Sequence, residues 1–142
     1  MDFTLQLVKD AKTMELAYSL INQLSPDLNR QSYTNYIAEM VKAGYSQVFI
    51  RNAEGKLVAV SGIWIGTKLY CGKYLEMDNV VVDQNYRSAG LGTMLYEKCV
   101  EIAKENNCNV IMLDAYRENT RAHAFYEEKG FVKRGYHFIK QL

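Results

Sequence analysis

The chain is poor in the residues that would commit it to a specialised class. Its 142 residues include one proline, Pro26, and no stretch rich in proline, glycine and serine, so nothing marks a linker between domains. Three cysteines, Cys71, Cys99 and Cys108, are odd in number and lack C-x-x-C spacing, which argues against a disulfide framework or a zinc site and fits a reducing cytoplasm. The only histidines, His123 and His137, are too few and too far apart for a metal centre, so none is expected. No stretch approaches the ~18 consecutive apolar residues of a membrane span, and no signal-type apolar core stands near the start, so a soluble protein is expected. Seventeen basic residues against sixteen acidic ones leave a net charge of +1. That balance gives no field for nucleic acid or an anionic membrane, and the expected partner is small.

With 49% hydrophobic and 23% charged residues, the chain is expected to form one domain over residues 1–142 with a real core. Alternation of Phe3, Leu5 and Leu7 predicts a strand over residues 2–8. Thr13 stands before a helical pattern through Leu16, Leu20 and Ile21 that Ser25-Pro26-Asp27 ends, because proline disfavours helix in the residue before it. A second helix is expected from near Asn29 to Lys42, with Tyr33, Tyr36, Ile37 and Met40 on one face and Gly44 as its stop; together these helices would form a lid. Tyr45–Arg51 and Leu57–Ile65 read as a hairpin around Asn52-Ala-Glu-Gly-Lys56. Strands follow at Tyr74–Val82 and Asn109–Asp114, helices at 91–106 and 119–129, and Phe131–Lys133 with Gly135–Lys140 would close the sheet. The order implies an α/β domain with a mixed sheet flanked by helices.

The chemistry concentrates where the β-branched run Val80-Val81-Val82 gives way, through Arg87-Ser-Ala-Gly-Leu-Gly92, to a helix patterned by Leu91, Leu95, Cys99 and Ile102. Glycines there let the backbone turn sharply, and the helix they open offers unpaired N–H groups and a positive dipole end, a setting that binds pyrophosphate. A nucleotide-hydrolysing P-loop would need lysine after its last glycine, and Thr93 follows instead. A dinucleotide fingerprint would need glycine where Leu95 stands, although Asp114 lies at a suitable distance. On the preceding strand Glu76 and Asp78 are two apart and leave the same face.

Arg87, Gly90 and Gly92 match the Arg/Gln-x-x-Gly-x-Gly/Ala signature, and Asn119-Thr-Arg-Ala-His-Ala-Phe-Tyr126 with Gly130-Phe131 follows in order and spacing. On these residues the chain resembles the GCN5-related N-acetyltransferases from about Tyr74 to Phe131. The Ala-His-Ala-Phe-Tyr run and the ending from Tyr136 to Leu142 are similar to the aminoalkylphosphonate acetyltransferase branch. The resemblance implies the acyl-CoA N-acyltransferase fold, a mostly antiparallel sheet splayed at its central strand, and acetyl-CoA as cosubstrate. It also implies a cofactor arm along Val80, Val81 and Val82, with its pyrophosphate held by Arg87, Ser88, Ala89, Gly90, Leu91, Gly92 and Thr93.

Glu76 lies eleven residues before Arg87, the offset of the general base in histone acetyltransferases of this family, and otherwise reads as an exposed carboxylate. Asp78 is the other acidic candidate. The resemblance gives Tyr126 the role of proton donor to the leaving thiolate, against a packed core tyrosine. Asn119 reads as a helix N-cap to which the family adds a contact to the cofactor arm. No partner histidine lies within sequence reach of Cys71, and Cys99 has core spacing, so direct transfer to a primary amine is expected rather than a cysteinyl intermediate. Tyr33, Tyr36 and Asp78 are candidates for the acceptor site, and homodimer formation is compatible with the chain. A domain that binds acetyl-CoA as a sensor without turnover is the alternative.

Overall fold

The structure is a computed structural model that describes residues 2–142. The first strand, β1, runs Thr4–Val8, and Asp10 then starts the helical segment. Its carboxylate accepts from both the amide and the hydroxyl of Thr13, at 2.8 and 2.7 Å, and these bonds hold its pKa below the ordinary value. Thr13 is therefore inside the first turn and not its start. The segment is broken as α1 (Ala11–Met14), a 3₁₀ turn (Glu15–Ala17) and α2 (Tyr18–Leu24). Asn29 caps α3 (Arg30–Lys42) by accepting from the Ser32 amide at 2.8 Å, and Gly44 leaves it at φ 101°. The expected lid is instead a core layer: Met14, Ala17, Leu20, Ile21, Tyr33 and Ile37 are buried against the sheet, and Tyr36 stays 56% exposed.

The hairpin forms as expected from β2 (Ser46–Arg51) and β3 (Leu57–Lys68), with Gly55 at φ 83° in its turn. Then come β4 (Gly72–Val82), α4 (Leu91–Glu105), β5 (Val110–Leu113) and α5 (Thr120–Glu128). The sheet order is β1-β2-β3-β4-β5, antiparallel throughout except for the parallel β4–β5 pair. Two cores sit on its two faces. Val48, Ile50, Leu75 and Met77 pack with Leu91, Leu95, Cys99 and Ile102 of α4, whereas Phe49, Val60 and Val81 pack with the α1–α3 layer.

Two irregularities in β4 create the site. Its pairing with β5 covers only Tyr74–Met77, so the strand continues to Val82 with its β5-side edge open. Against β3, Gly62 pairs with Asp78 and Val60 with Val81, which leaves Asn79 and Val80 opposite Ser61 as a bulge. The bulge reverses the alternation, so Leu75 and Met77 belong to the α4 core and Val81 to the other. Asn79 carries the turn at φ 53°, a region few side chains besides Asn and Asp tolerate.

The two closing strands do not form. Residues 131–142 have no regular hydrogen-bonded structure, and Tyr136, Phe138 and Ile139 are exposed, Phe138 by 92%. The apolar alternation there is strand-like, but no strand among the described residues pairs with it. The sheet therefore ends at β5.

Candidate active site

The glycine loop begins with Asp83, whose carboxylate accepts from the Asn85 amide at 2.9 Å while its own N–H donates to Val58 O at 2.8 Å. Two further bonds, Tyr86 N to Asp83 O and Ala89 N to Tyr86 O, wind the chain into Gly90 at φ 77°. No side chain caps α4, and in the loop the Met94 amide is the one that reaches back to Gly90 O, at 3.2 Å. The amides of Leu91, Gly92 and Thr93 thus form an uncommitted first turn at the positive end of a 15-residue helix. Arg87 and Ser88 stand exposed beside it, the Leu91 side chain is in the core, and a cavity of about 210 Å³ opens on Asn85, Tyr86, Ser88 and Ala89. Free N–H donors at the positive end of a helix suit a pyrophosphate.

Next to this turn lies α5. A Cβ on Gly92 would sit 3.4 Å from the Phe125 ring, so this glycine serves the approach of α5 as well as the turn. Asn119 caps α5, accepting from the Ala122 amide at 3.1 Å. Tyr126 packs edge-on against Phe125 and Phe131 at 5.2 and 5.5 Å. Burial raises its pKa, the Cys99 thiol adds to the rise, and no hydrogen bond opposes it. Cys99 is itself buried, with a thiol pushed up to about 11 by burial, which makes it an inert core residue.

Glu76 is half-buried on β4 before the bulge. Its pKa is raised, first by burial, then by the carboxylates of Asp114 and Asp78, with Lys68 and His137 pulling the other way. Asp78, on the same face, accepts from Trp64 Nε1 at 3.1 Å, and the Trp64 ring lies 5.0 Å from that of Tyr45. Asp78 and Asn79 form one wall of a cavity of about 160 Å³ whose other walls include Tyr33, Tyr36 and Met40 of α3. Behind it runs a buried polar chain. Gln47 Nε2 donates to the hydroxyls of Tyr33 and Tyr45 at 3.4 and 3.2 Å, the Tyr33 hydroxyl donates to Met14 O at 2.6 Å, and the Tyr45 hydroxyl donates to Asn79 Oδ1 at 3.1 Å. Burial pushes the Tyr33 phenol up to about 12 and raises that of Tyr45 as well, so both remain donors.

The structure thus brings Tyr33, Tyr36 and Asp78 to one cavity, with Glu76 beside it and the Val80–Val82 edge open. The side chain of Val81 turns into the α1–α3 core, leaving its backbone at that edge. Tyr45, Gln47, Trp64 and Asn79 are the site residues that sequence reasoning missed. A signal was present for two of them, because Asn79 and Gln47 interrupt apolar strands where a polar amide needs a partner.

The Acetyltransferase (GNAT) family model matches residues 14–131. The chain belongs to the GNAT family. Like other GNAT proteins it is an acyltransferase that moves an acetyl group from acetyl-CoA to an amine. A probable glucosamine 6-phosphate N-acetyltransferase of Oryza sativa subsp. japonica is 31% identical over 126 residues, which cover 82% of this chain and 74% of that protein. Among solved structures, a Trypanosoma brucei acetyltransferase superposes with a TM-score of 0.79 at 25% identity, covering 99% of this chain and 100% of that one. Aminoglycoside N-acetyltransferase AAC(6')-Iy in complex with CoA reaches a TM-score of 0.81 over 99% of this chain and 95% of its own, and at 16% identity what it shares is the GNAT fold.

Proposed function

We propose that this GNAT chain acetylates a small primary amine by direct transfer, as one domain over residues 1–142. The open β4 edge from Asp78 to Val82 receives the amide-bearing arm of acetyl-CoA as an incomplete added strand. The amides between Arg87 and Thr93 take its pyrophosphate, and Asn119 contacts the arm from the start of α5. The acceptor enters the cavity between α3 and the bulge. The observation that carries this reading is the sequence of three features along one segment: β4 leaves its partner β5 after Met77, a half-buried carboxylate stands beside a cavity at that point, and the chain then opens an uncapped helix with free N–H groups.

The acceptor arrives as an ammonium. Glu76 removes its proton, and burial suits it to the task, because a carboxyl with a raised pKa is a better base near neutral pH. The freed nitrogen lone pair attacks the thioester carbonyl, and amides of the bulge steady the oxygen as negative charge gathers on it. When the carbon–sulfur bond breaks, Tyr126 gives its phenolic proton to the sulfur, and the second proton that the nitrogen sheds on becoming an amide returns through solvent to the phenolate. The three free cysteines support a cytoplasmic location, which suits this cosubstrate. The partners are acetyl-CoA and the amine, with neither nucleic acid nor membrane required at a net charge of +1, and a homodimer is compatible with the exposed residues 131–142.

Tyr126→Phe tests the assignment. Acetyl-CoA should bind as before while thiol release falls about 10²–10⁴-fold, the usual cost of lost acid catalysis. A variant that turns over at the parent rate would return Tyr126 to the role of a packed aromatic.

A further inference from the structure

The cavity between α3 and the β4 bulge carries information about the acceptor beyond its amine. At about 160 Å³ it is close to the size of a protein cavity of about 150 Å³ that accepts benzene. Ile21, Leu28, Ile37 and Met40 supply aliphatic wall, and Tyr33, Tyr36 and Tyr45 supply ring surface. Asp78 is the only charged residue in the lining, and no lysine, arginine or histidine joins it among the described residues. Trp64 holds one oxygen of Asp78, which leaves the other for an ammonium, and Glu76 leaves the strand on the same side two residues earlier. Arg30, a cation of α3, is turned away over the Tyr18 ring and toward Glu15.

We propose that the preferred acceptor is a primary amine with a compact, uncharged apolar body of about one ring and no phosphate or phosphonate, that is, an arylalkylamine or an alicyclic equivalent. This rests on the acetyltransferase reading above. The ammonium sits between Asp78 and Glu76, and the body fills the wall from Ile37 to Met40. A sugar phosphate or aminophosphonate would bring an anion beside two carboxylates with no guanidinium or ammonium to receive it, an arrangement that penalises binding strongly. A multi-ring polycationic aminoglycoside exceeds the volume and leaves the apolar wall unused.

Thiol release from acetyl-CoA should be followed with 2-phenylethylamine, ethylamine, glucosamine 6-phosphate and an aminoglycoside at one pH, alongside melting curves with and without acetyl-CoA. The expected kcat/KM for 2-phenylethylamine exceeds that for the sugar phosphate and the aminoglycoside by about tenfold or more, the scale on which an apolar pocket discriminates. Met40→Trp fills the cavity and should raise KM for 2-phenylethylamine about tenfold while sparing ethylamine and acetyl-CoA. Should Met40→Trp fail to fold, Tyr36→Ala at the exposed rim should raise the same KM severalfold with acetyl-CoA unchanged. A higher kcat/KM for glucosamine 6-phosphate or the aminoglycoside overturns the inference and leaves acetyl transfer standing, as does a variant effect equal for all amines. The absence of both stabilisation by acetyl-CoA and turnover of any amine overturns both readings.

Discussion

Tyr45→Phe removes one oxygen atom and unties the bulge from the acceptor cavity. In the parent the hydroxyl donates to Asn79 Oδ1 at 3.1 Å and accepts from Gln47 Nε2 at 3.2 Å, and Tyr45 is buried. Asn79 can find water in its place, but the buried Gln47 amide keeps only the longer bond to Tyr33, so the loss should cost about 1–3 kcal/mol. Asn79 also sits at φ 53°, where a non-glycine backbone costs roughly 1–2 kcal/mol that its side-chain bond helps to offset. A loss near 2 kcal/mol should lower Tm by roughly 5–10 °C. Since the bulge amides are proposed to face the reacting carbonyl, kcat should fall about tenfold, the equivalent of about 1.4 kcal/mol. Asn79→Gly provides the control, because glycine holds that φ without a side-chain tether. In a double-mutant cycle read by thermal melts and kcat, the Tyr45→Phe penalty should shrink by about 1 kcal/mol when Asn79 is already glycine. Additivity within about 0.5 kcal/mol, with kcat losses that simply multiply, would show that the hydroxyl does not hold the bulge.

Other parts of the site respond in separable ways. Acetyl-CoA at one hundred times its dissociation constant should stabilise the parent by about 2.7 kcal/mol, and Gly90→Val, which forces a β-branched residue to φ 77°, should abolish that shift; a folded variant with the full shift refutes the loop assignment. Gly92→Val should also press on Phe125 and so reduce kcat with whatever cosubstrate still binds, and an effect confined to binding would count against the packing role of Gly92. Asn119→Ala removes the cap of α5 and should cost about 1 kcal/mol in a thermal melt, whereas an unchanged Tm would mean that the cap is replaced by solvent.

The parts legible in the sequence were those whose causes are local. Asn29 and Asn119 cap helices where cap chemistry placed them, Gly44 and Gly130 leave helices at positive φ, and the Asn52–Lys56 turn closes its hairpin. The glycine loop was legible because turn, helix start and anion site share the same few residues. What escaped depends on contacts distant in sequence. Nothing near Asn79 announces that Tyr45, 34 residues earlier, will hold it, or that Trp64 will fix Asp78 from the neighbouring strand. Thr13 stands before the helical pattern and caps well as a residue type, yet Asp10 three residues earlier is the cap and uses Thr13 as its donor. Residues 131–142 have the alternation of strands, but alternation does not supply an adjacent edge, and no strand among the described residues pairs with them.

The pH–rate profile of Glu76→Gln tests the proposed chemistry most directly. In the parent, Glu76 acts only as carboxylate, so kcat/KM should rise through a pKa held above the ordinary carboxylate range by burial and by Asp114 and Asp78. Below that value the carboxyl is protonated and cannot accept the ammonium proton; above it the base is available. In the variant, shape is nearly preserved and the base is gone, so the rate should depend on amine already deprotonated in solution. The loss should then be greatest at neutral pH and shrink about tenfold per pH unit toward the pKa of the amine, near 10 for an alkylamine. A Glu76→Gln enzyme that keeps the parent profile would contradict the account and pass the role of base to Asp78 or to a chain of water.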